Sequence, residues 1–142
     1  MLWLFSLGGS MMEELERWHF ENNEKAANEL LNLVLQGKKT ATSSALLAYQ
    51  SEGLPIPKVG DQSIVTYFDG KDGCIIENID VRLIPYNQMT YDIVKLEGED
   101  DCLESWKNNH DKFFSEDAEL TGYEFSEDMM IVFEIFKVIK VF

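Results

Sequence analysis

The sequence predicts an α+β domain, a small curved sheet or barrel with helices packed against it. Three observations carry that expectation. Ala27, Leu30, Leu31, Val34 and Leu35 recur at three- and four-residue steps, which puts them on one face of a helix over Glu24–Gln36. Two stretches rich in β-branched and aromatic residues, Ser63–Phe68 and Cys74–Ile84, flank Asp69-Gly70-Lys71-Asp72-Gly73 and read as a hairpin. Finally, Met129–Phe142 carries Ile131, Phe133 and Ile135 on one side and Val132, Phe136 and Val138 on the other. A strand apolar on both sides is buried on both faces or forms part of a barrel wall.

In chain order, residues 1–12 read as an apolar N-terminal extension and 13–142 as a single domain. Met1–Leu7 is too short to cross a membrane and has no basic residue before it, unlike a secretory signal. Met11 and Met12 are alternative starts of translation. The other reading packs Trp3 and Phe5 onto the domain. Glu13–Trp18 reads as a short helix. Asn22 or Asn23 caps the helix that follows, and Gly37 suits the left-handed position that ends it. Lys38–Ser44 is a polar segment, with Ser43 or Ser44 capping a small helix over Ala45–Tyr49. Glu52–Pro57 is loop, since its two prolines disfavour regular structure. Val59-Gly60-Asp61 turns into the hairpin, and Pro85 ends the hairpin's second strand. Thr90–Leu96 is a helical turn capped by Thr90. Leu103–Phe114 is a helix with Leu103, Trp106, His110 and Phe113/Phe114 on one side, and Ser115–Asp128 is an acidic loop.

Composition excludes several classes. With 45% apolar residues and 12% aromatics, the chain is not a disordered polymer. The 26 acidic and 12 basic side chains give a formal net charge of −14. Such a surface repels duplex DNA or RNA, whose affinity comes largely from Lys and Arg on phosphates. It suits a cytoplasmic protein, and a local basic pocket would still admit one nucleotide or a short single strand. Cys74 and Cys102 form no CxxC pattern, so neither a disulfide scaffold nor a structural zinc site is expected. Cys74 reads as a buried, inert thiol.

Two segments stand out chemically. Gly37-Lys38-Lys39-Thr40-Ala41-Thr42-Ser43-Ser44 sets two lysines beside a row of hydroxyls, with Lys39 and Thr42 three residues apart. It is not a phosphate-binding P-loop, and lysines after a helix also simply complement its dipole. Glu97-Gly98-Glu99-Asp100-Asp101 puts four carboxylates in five residues. This is the composition of a hard-cation site, of a solvated loop, or of a partner for the lysines. His19 and His110 have no second His or Cys nearby, so no metal site is called. His110 shares a helical side with Trp106. Trp18 and Phe20 suit either base stacking or the core.

Taken together, these segments resemble the ASCH-domain family of the PUA-like superfamily. The resemblance rests on the helix running into Gly37-Lys38-Lys39-Thr40-Ala41-Thr42, then Val59-Gly60-Asp61 and Cys74-Ile75-Ile76-Glu77. It continues with Glu97-Gly98-Glu99, Trp106 with His110, and Val132-Phe133-Glu134-Ile135-Phe136. It runs from about Trp18 to Val141, and a longer bacterial branch is the closer match. It implies a PUA-like small β-barrel with flanking helices and a ligand cleft between them. A short branch of that superfamily hydrolyses the amide of N4-acetylcytidine with a Lys, a Thr and a Glu. Residue by residue these carry over to Lys39, Thr42 and Glu99, with Glu97 close behind. Ser43, Trp106 and His110 would line the pocket with Glu97. Ser43 and Ser44 stand where the short branch often has an arginine, which would orient a base or phosphate.

Amide hydrolysis needs a nucleophile, a base and stabilisation of the oxyanion. Thr42 would supply the hydroxyl. Either Lys39, made neutral by burial, is the base and Glu99 serves the leaving amine, or Glu99 is the base and Lys39 steadies the oxyanion. In a third arrangement the two form an ion pair that shapes a binding pocket. Three functions follow: a metal-free, cofactor-free amidohydrolase acting on an acylated nucleoside; a module binding a small nucleoside-like ligand or short single-stranded RNA; and a Mg²⁺-dependent nuclease using Glu97, Glu99, Asp100 and Asp101. Lys39 and Thr42 are expected to lie outside the core, so that their alanine variants fold.

Overall fold

The computed structural model describes residues 3–4 and 15–142; apart from Trp3–Leu4, the predicted extension over 1–12 lies outside the described residues. Among the described residues, six strands form one curled sheet in the order β1-β2-β4-β5-β6-β3. They are β1 (Trp3–Leu4), β2 (Glu16–His19), β3 (Ala41–Ala45), β4 (Gln62–Thr66), β5 (Asp72–Pro85) and β6 (Met130–Val141). The helices are α1 (Glu24–Leu35), α2 (Leu46–Glu52), α3 (Tyr91–Val94) and α4 (Leu103–Thr121). This is the expected α+β, PUA-like plan. No described helix is long and apolar enough to cross a membrane.

The hairpin β4–β5 and the long antiparallel pair β5–β6 are the frame. Register shifts at Ile75/Ile76 and between Asn78 and Asp80 bend β5, as bulges do, and curl the sheet. Asn23 Oδ1 accepts from Ala26 N and caps α1, whose Ala27, Leu30, Leu31 and Val34 are buried. Leu31 lies so close to Gly73 that a β-carbon there would stand 2.7 Å from Leu31 Cδ2 and 2.8 Å from Val65 O. Only glycine permits that approach of helix to hairpin. Trp18, Phe20, Val65, Cys74, Phe133, Phe136, Trp106 and Phe114 continue the core. Cys74 is buried as expected, and burial pushes its thiol up to about 11.

Four expectations require correction. The segment read as a helix over Glu13–Trp18 is a strand where it is described. Glu16, Arg17 and Trp18 pair in parallel with Ser63, Ile64 and Val65, burying Trp18 while Arg17 bonds Asp72 at 3.0 Å. The polar segment 38–44 holds an interior strand rather than a cap. All five residues of β3 are buried against β6, and its last residue, Ala45, is the N-cap of α2 without a side-chain bond. Helix α4 runs into the predicted acidic loop as far as Thr121, because Ala118 continues the buried face of Phe113 and Phe114 while Glu116 and Glu119 face solvent. Strand β6 is buried on both faces only from Ile131 to Phe136, apart from the half-buried Ile135; Val138, Ile139 and Val141 are exposed.

Candidate functional site

The site forms where the start of β3 meets the turn between α3 and α4. Thr40 binds Leu96 O twice, through its backbone N at 2.8 Å and its Oγ1 at 3.0 Å. Gly98 sits at φ +71°, and a β-carbon there would fall 2.1 Å from Lys38 O. The two backbones are thus in contact, and that contact carries Glu97 and Glu99 onto Lys39.

Lys39 is 1% exposed. Its Nζ donates to Glu99 Oε2 at 2.5 Å, Glu97 Oε1 at 3.4 Å and Glu97 O at 3.5 Å, and stands 5.3 Å from the centre of the Phe20 ring. Glu97 Oε2 accepts from Ser43 Oγ at 2.9 Å and from Trp106 Nε1 at 2.7 Å. His110 stacks on Trp106 with ring centres 4.0 Å apart. Its Nδ1 lies 2.8 Å from Trp106 O, an atom that only accepts, so Nδ1 carries the proton. That turns Nε2 toward Glu97 Oε1 at 3.6 Å.

Burial alone would make Lys39 easier to deprotonate, but the Glu99 and Glu97 carboxylates outweigh it and raise its pKa. Burial likewise disfavours the Glu97 anion, yet the Lys39 ammonium and His110 hold its pKa well below the usual carboxylate range. The lysine is a cation, and Glu97 is an anion whose two oxygens are both engaged. Glu99, with a side chain 10% exposed, is the edge of the cluster nearest solvent.

Lys39, Glu97, Glu99, Ser43, Trp106 and His110 are therefore brought together. Side chains alternate along a strand, so Thr42 leaves β3 on the face opposite Ser43, across from Glu134 of β6. Thr42 and Lys39 are both interior residues, each 1% exposed, against the expectation that they lie outside the core. Trp18 and Phe20 are core, with Trp18 Nε1 donating to Ser63 Oγ at 2.9 Å. The four acids of 97–101 are not pooled. Asp100 Oδ1 is taken by Ser105 and Asn109, and no described group of three His, Cys, Asp or Glu could hold a metal ion.

Two features escaped the sequence reading. A polar cleft of about 430 Å³ lies between α1 and α4, lined by Glu21, Asn22, Asn23, Asn109, Lys112 and Phe113 among others. Glu21 stands at φ +53°, a strained value for a non-glycine residue. Its carboxyl is raised mainly by burial, with Glu99 and Glu116 adding to the effect, which ties the cleft electrostatically to Glu99. The second feature is Glu134, a buried carboxylic acid beside Asn78. A lone charge inside Ile131–Phe136 was the available signal.

A family model described as the ASCH domain matches residues 16–140. An ASCH domain from Lactobacillus crispatus JV V101 has a crystal structure 40% identical in sequence, with TM-score 0.81, covering 87% of this chain and 79% of that one. Protein EF3133 from Enterococcus faecalis V583 is 29% identical with TM-score 0.84, covering 93% of this chain and 80% of that one. Hypothetical protein PH0355, at 16% identity and TM-score 0.53 over 78% of this chain and 92% of that one, shares the fold. Among curated proteins no sequence match is found.

Proposed function

The chain belongs to the ASCH-domain family, and from that premise we propose that it binds a nucleoside-sized ligand beside the Lys39–Glu99 pair and hydrolyses an amide in it, without metal or cofactor. The observation that carries this reading is the buried Lys39 ammonium, held 2.5 Å from the one carboxylate of the cluster that reaches the surface. A fixed cation in a dry setting is the element that stabilises a developing oxyanion. The raised pKa of Lys39 argues against the neutral-lysine arrangement and for Glu99 as the base. The resemblance assigns Thr42 the nucleophile's role in this scheme, a role that requires its hydroxyl to reach the Lys39 side of β3. Glu97 positions Lys39, since both its oxygens are already bonded. The cleft between α1 and α4, linked to Glu99 through Glu21, has the volume of a small-molecule site, with asparagine amides to meet a base and Phe113 to stack on one.

The placement of Thr42 on the opposite face from Ser43 favours a second reading, a module that binds the same ligand, or a short single strand, without turnover. The test is N4-acetylcytidine turnover followed as cytidine by chromatography, for wild type, Glu99→Gln and Thr42→Ser, with and without chelator. The hydrolase reading expects turnover that ignores chelator and is lost in Glu99→Gln. Absence of turnover with nucleoside binding retained would select the binding module. Affinity for an oligonucleotide that falls steeply with salt would extend that module to RNA.

A further inference from the structure

At the opposite face of β3 from the Lys39 cluster the fold holds a second cavity, of about 320 Å³, lined among others by Glu16, Trp18, Tyr49, Asp61, Asn78 and Glu134. The segment Leu54–Lys58 forms its rim. It leaves α2 through Gly53 at φ +66°, is stiffened by Pro55 and Pro57, and is tied back where Gly60 N donates to Asn78 O and Asn78 N to Asp61 O. At the cavity wall stands Glu134, 8% exposed. Its Oε1 accepts from Asn78 Nδ2 at 2.9 Å, while its Oε2 is buried and has no hydrogen-bond partner among the described residues. Once ionised, a buried carboxylate oxygen left unbonded is costly, so the anion of Glu134 calls for a donor.

We infer that this cavity is a binding site for a small organic cation with an N–H donor, a primary ammonium or a guanidinium, seated against the Glu134 carboxyl, whose buried Oε2 turns to meet it. Charge selects the sign: Glu16, Asp61 and Glu134 line the space against one lysine, Lys58. Trp18 and Tyr49 add aromatic surface, which favours cations over neutral or anionic guests. The Trp18 N–H is already spent on Ser63, so it offers no donor to an anion. The site is separate from the Lys39 cluster, because alternation along β3 sends Ser43 to Glu97 and puts Thr42 beside Glu134.

Burial, with Asp61 and Glu16 adding to it, pushes the Glu134 carboxyl up to about 7 against the opposing bond from Asn78. A bound cation would favour the anion, so binding near neutral pH should expel a proton from the protein. The groups facing Glu134 are Glu16 of β2, Tyr49 of α2, Lys58 and Asp61 of the rim and Asn78 of β5.

The experiment is calorimetric titration of the full chain with n-butylammonium, agmatine and the neutral isostere n-butanol, each into the millimolar range, in two buffers of different ionisation enthalpy. Saturable binding of the cations is expected, with no binding of n-butanol and a heat that changes with buffer. Glu134→Gln should weaken cation binding about tenfold or more, equivalent to about 1.4 kcal/mol. Asp61→Asn should weaken it less, and Glu99→Gln should leave it unchanged. Equal binding of n-butanol, or no saturable binding of either cation by wild type, overturns the inference without any variant. So does a loss on Glu99→Gln, which would put the cation in the Lys39 cluster.

Discussion

Replacing Glu134 by Gln removes a titrating group from the barrel interior while keeping its volume, and the consequence for stability follows from the structure. The unperturbed carboxyl stands at 4.5, and the folded one is pushed up to about 7 by burial. Below 4.5 the carboxyl is protonated in both states and contributes no pH dependence. Between the two values the unfolded chain releases its proton and the folded chain keeps it. Wild-type stability therefore falls as pH rises, by about 1.4 kcal/mol per unit. Above 7 the loss is complete, about 3 kcal/mol in all. The glutamine variant lacks this slope. It does carry a constant cost for an amide N–H₂ in place of Oε2, about 1–3 kcal/mol if unpaired. The quantity to measure is therefore a difference of differences: urea unfolding of both proteins at steps from pH 4 to 8.5. The variant should gain on wild type by about 3 kcal/mol across that range, with most of the gain between 4.5 and 7. Glu21 and Asp117 are also raised, mainly by burial, and their slopes cancel because both proteins carry them. Two curves that stay parallel across the range would refute the reasoning, because Glu134 would then be as easily ionised folded as unfolded.

Two further predictions concern the Lys39 cluster. Lys39→Ala leaves the Glu97 carboxylate buried without its ammonium, and breaking a buried pair costs about 3–5 kcal/mol. The melting temperature should fall by about 10 °C or more by scanning calorimetry, and a shift of only a degree or two would mean that solvent reaches the pair. In wild type the Glu97 contribution is fully present above 4.5 and lost as pH falls through its depressed folded value, so the alanine variant should lose less stability than wild type on acidification below that point. Gly98→Ala brings a β-carbon to 2.1 Å from Lys38 O at a φ of +71°. It should separate the 97–99 turn from β3, destabilise the fold, and abolish any nucleoside binding that Glu99 supports. A variant with wild-type melting behaviour would contradict the close contact.

The frame of the fold was legible because it is written in periodicity. The helical stripe Ala27–Val34, the hairpin around Asp69–Gly73 and the apolar run Ile131–Phe136 bury most of the side chains their spacing predicts, Leu35 and Ile135 only half and Ile79 and Leu83 not at all. Strand β3 was not legible, and the reason is physical. Ala41-Thr42-Ser43-Ser44-Ala45 has neither the β-branched bulk nor the alternation of a strand, because polar and small residues are needed where both faces meet charged partners. Ser43 answers Glu97, and Ser44 donates to Tyr49 at 3.1 Å. Helix α4 was underestimated because acidic residues after Phe114 look like a loop, although glutamate and alanine sustain a helix well. Of the candidate residues, resemblance rather than spacing joined Lys39 to Glu97 and Glu99, which lie some sixty positions away. No local pattern carries that distance.

The alternation of β3 also explains how one five-residue strand serves two polar sites in a core that is otherwise apolar. Each site brings its own neutralising logic. On the Ser43 face two carboxylates share one lysine, and Trp106 and Ser43 both donate to Glu97 Oε2, so charge is held permanently and the cluster is preorganised. On the Thr42 face the buried Glu134 has Asn78 as its amide partner and the carboxylates of Asp61 and Glu16 nearby, so it meets its cost by holding its proton more tightly. A preorganised ion cluster favours chemistry that needs a fixed field. A carboxyl that ionises only when a positive guest arrives favours reversible binding. The two faces are thus suited to different tasks, and a substitution that shifts the register of β3 by one residue would exchange them and destroy both.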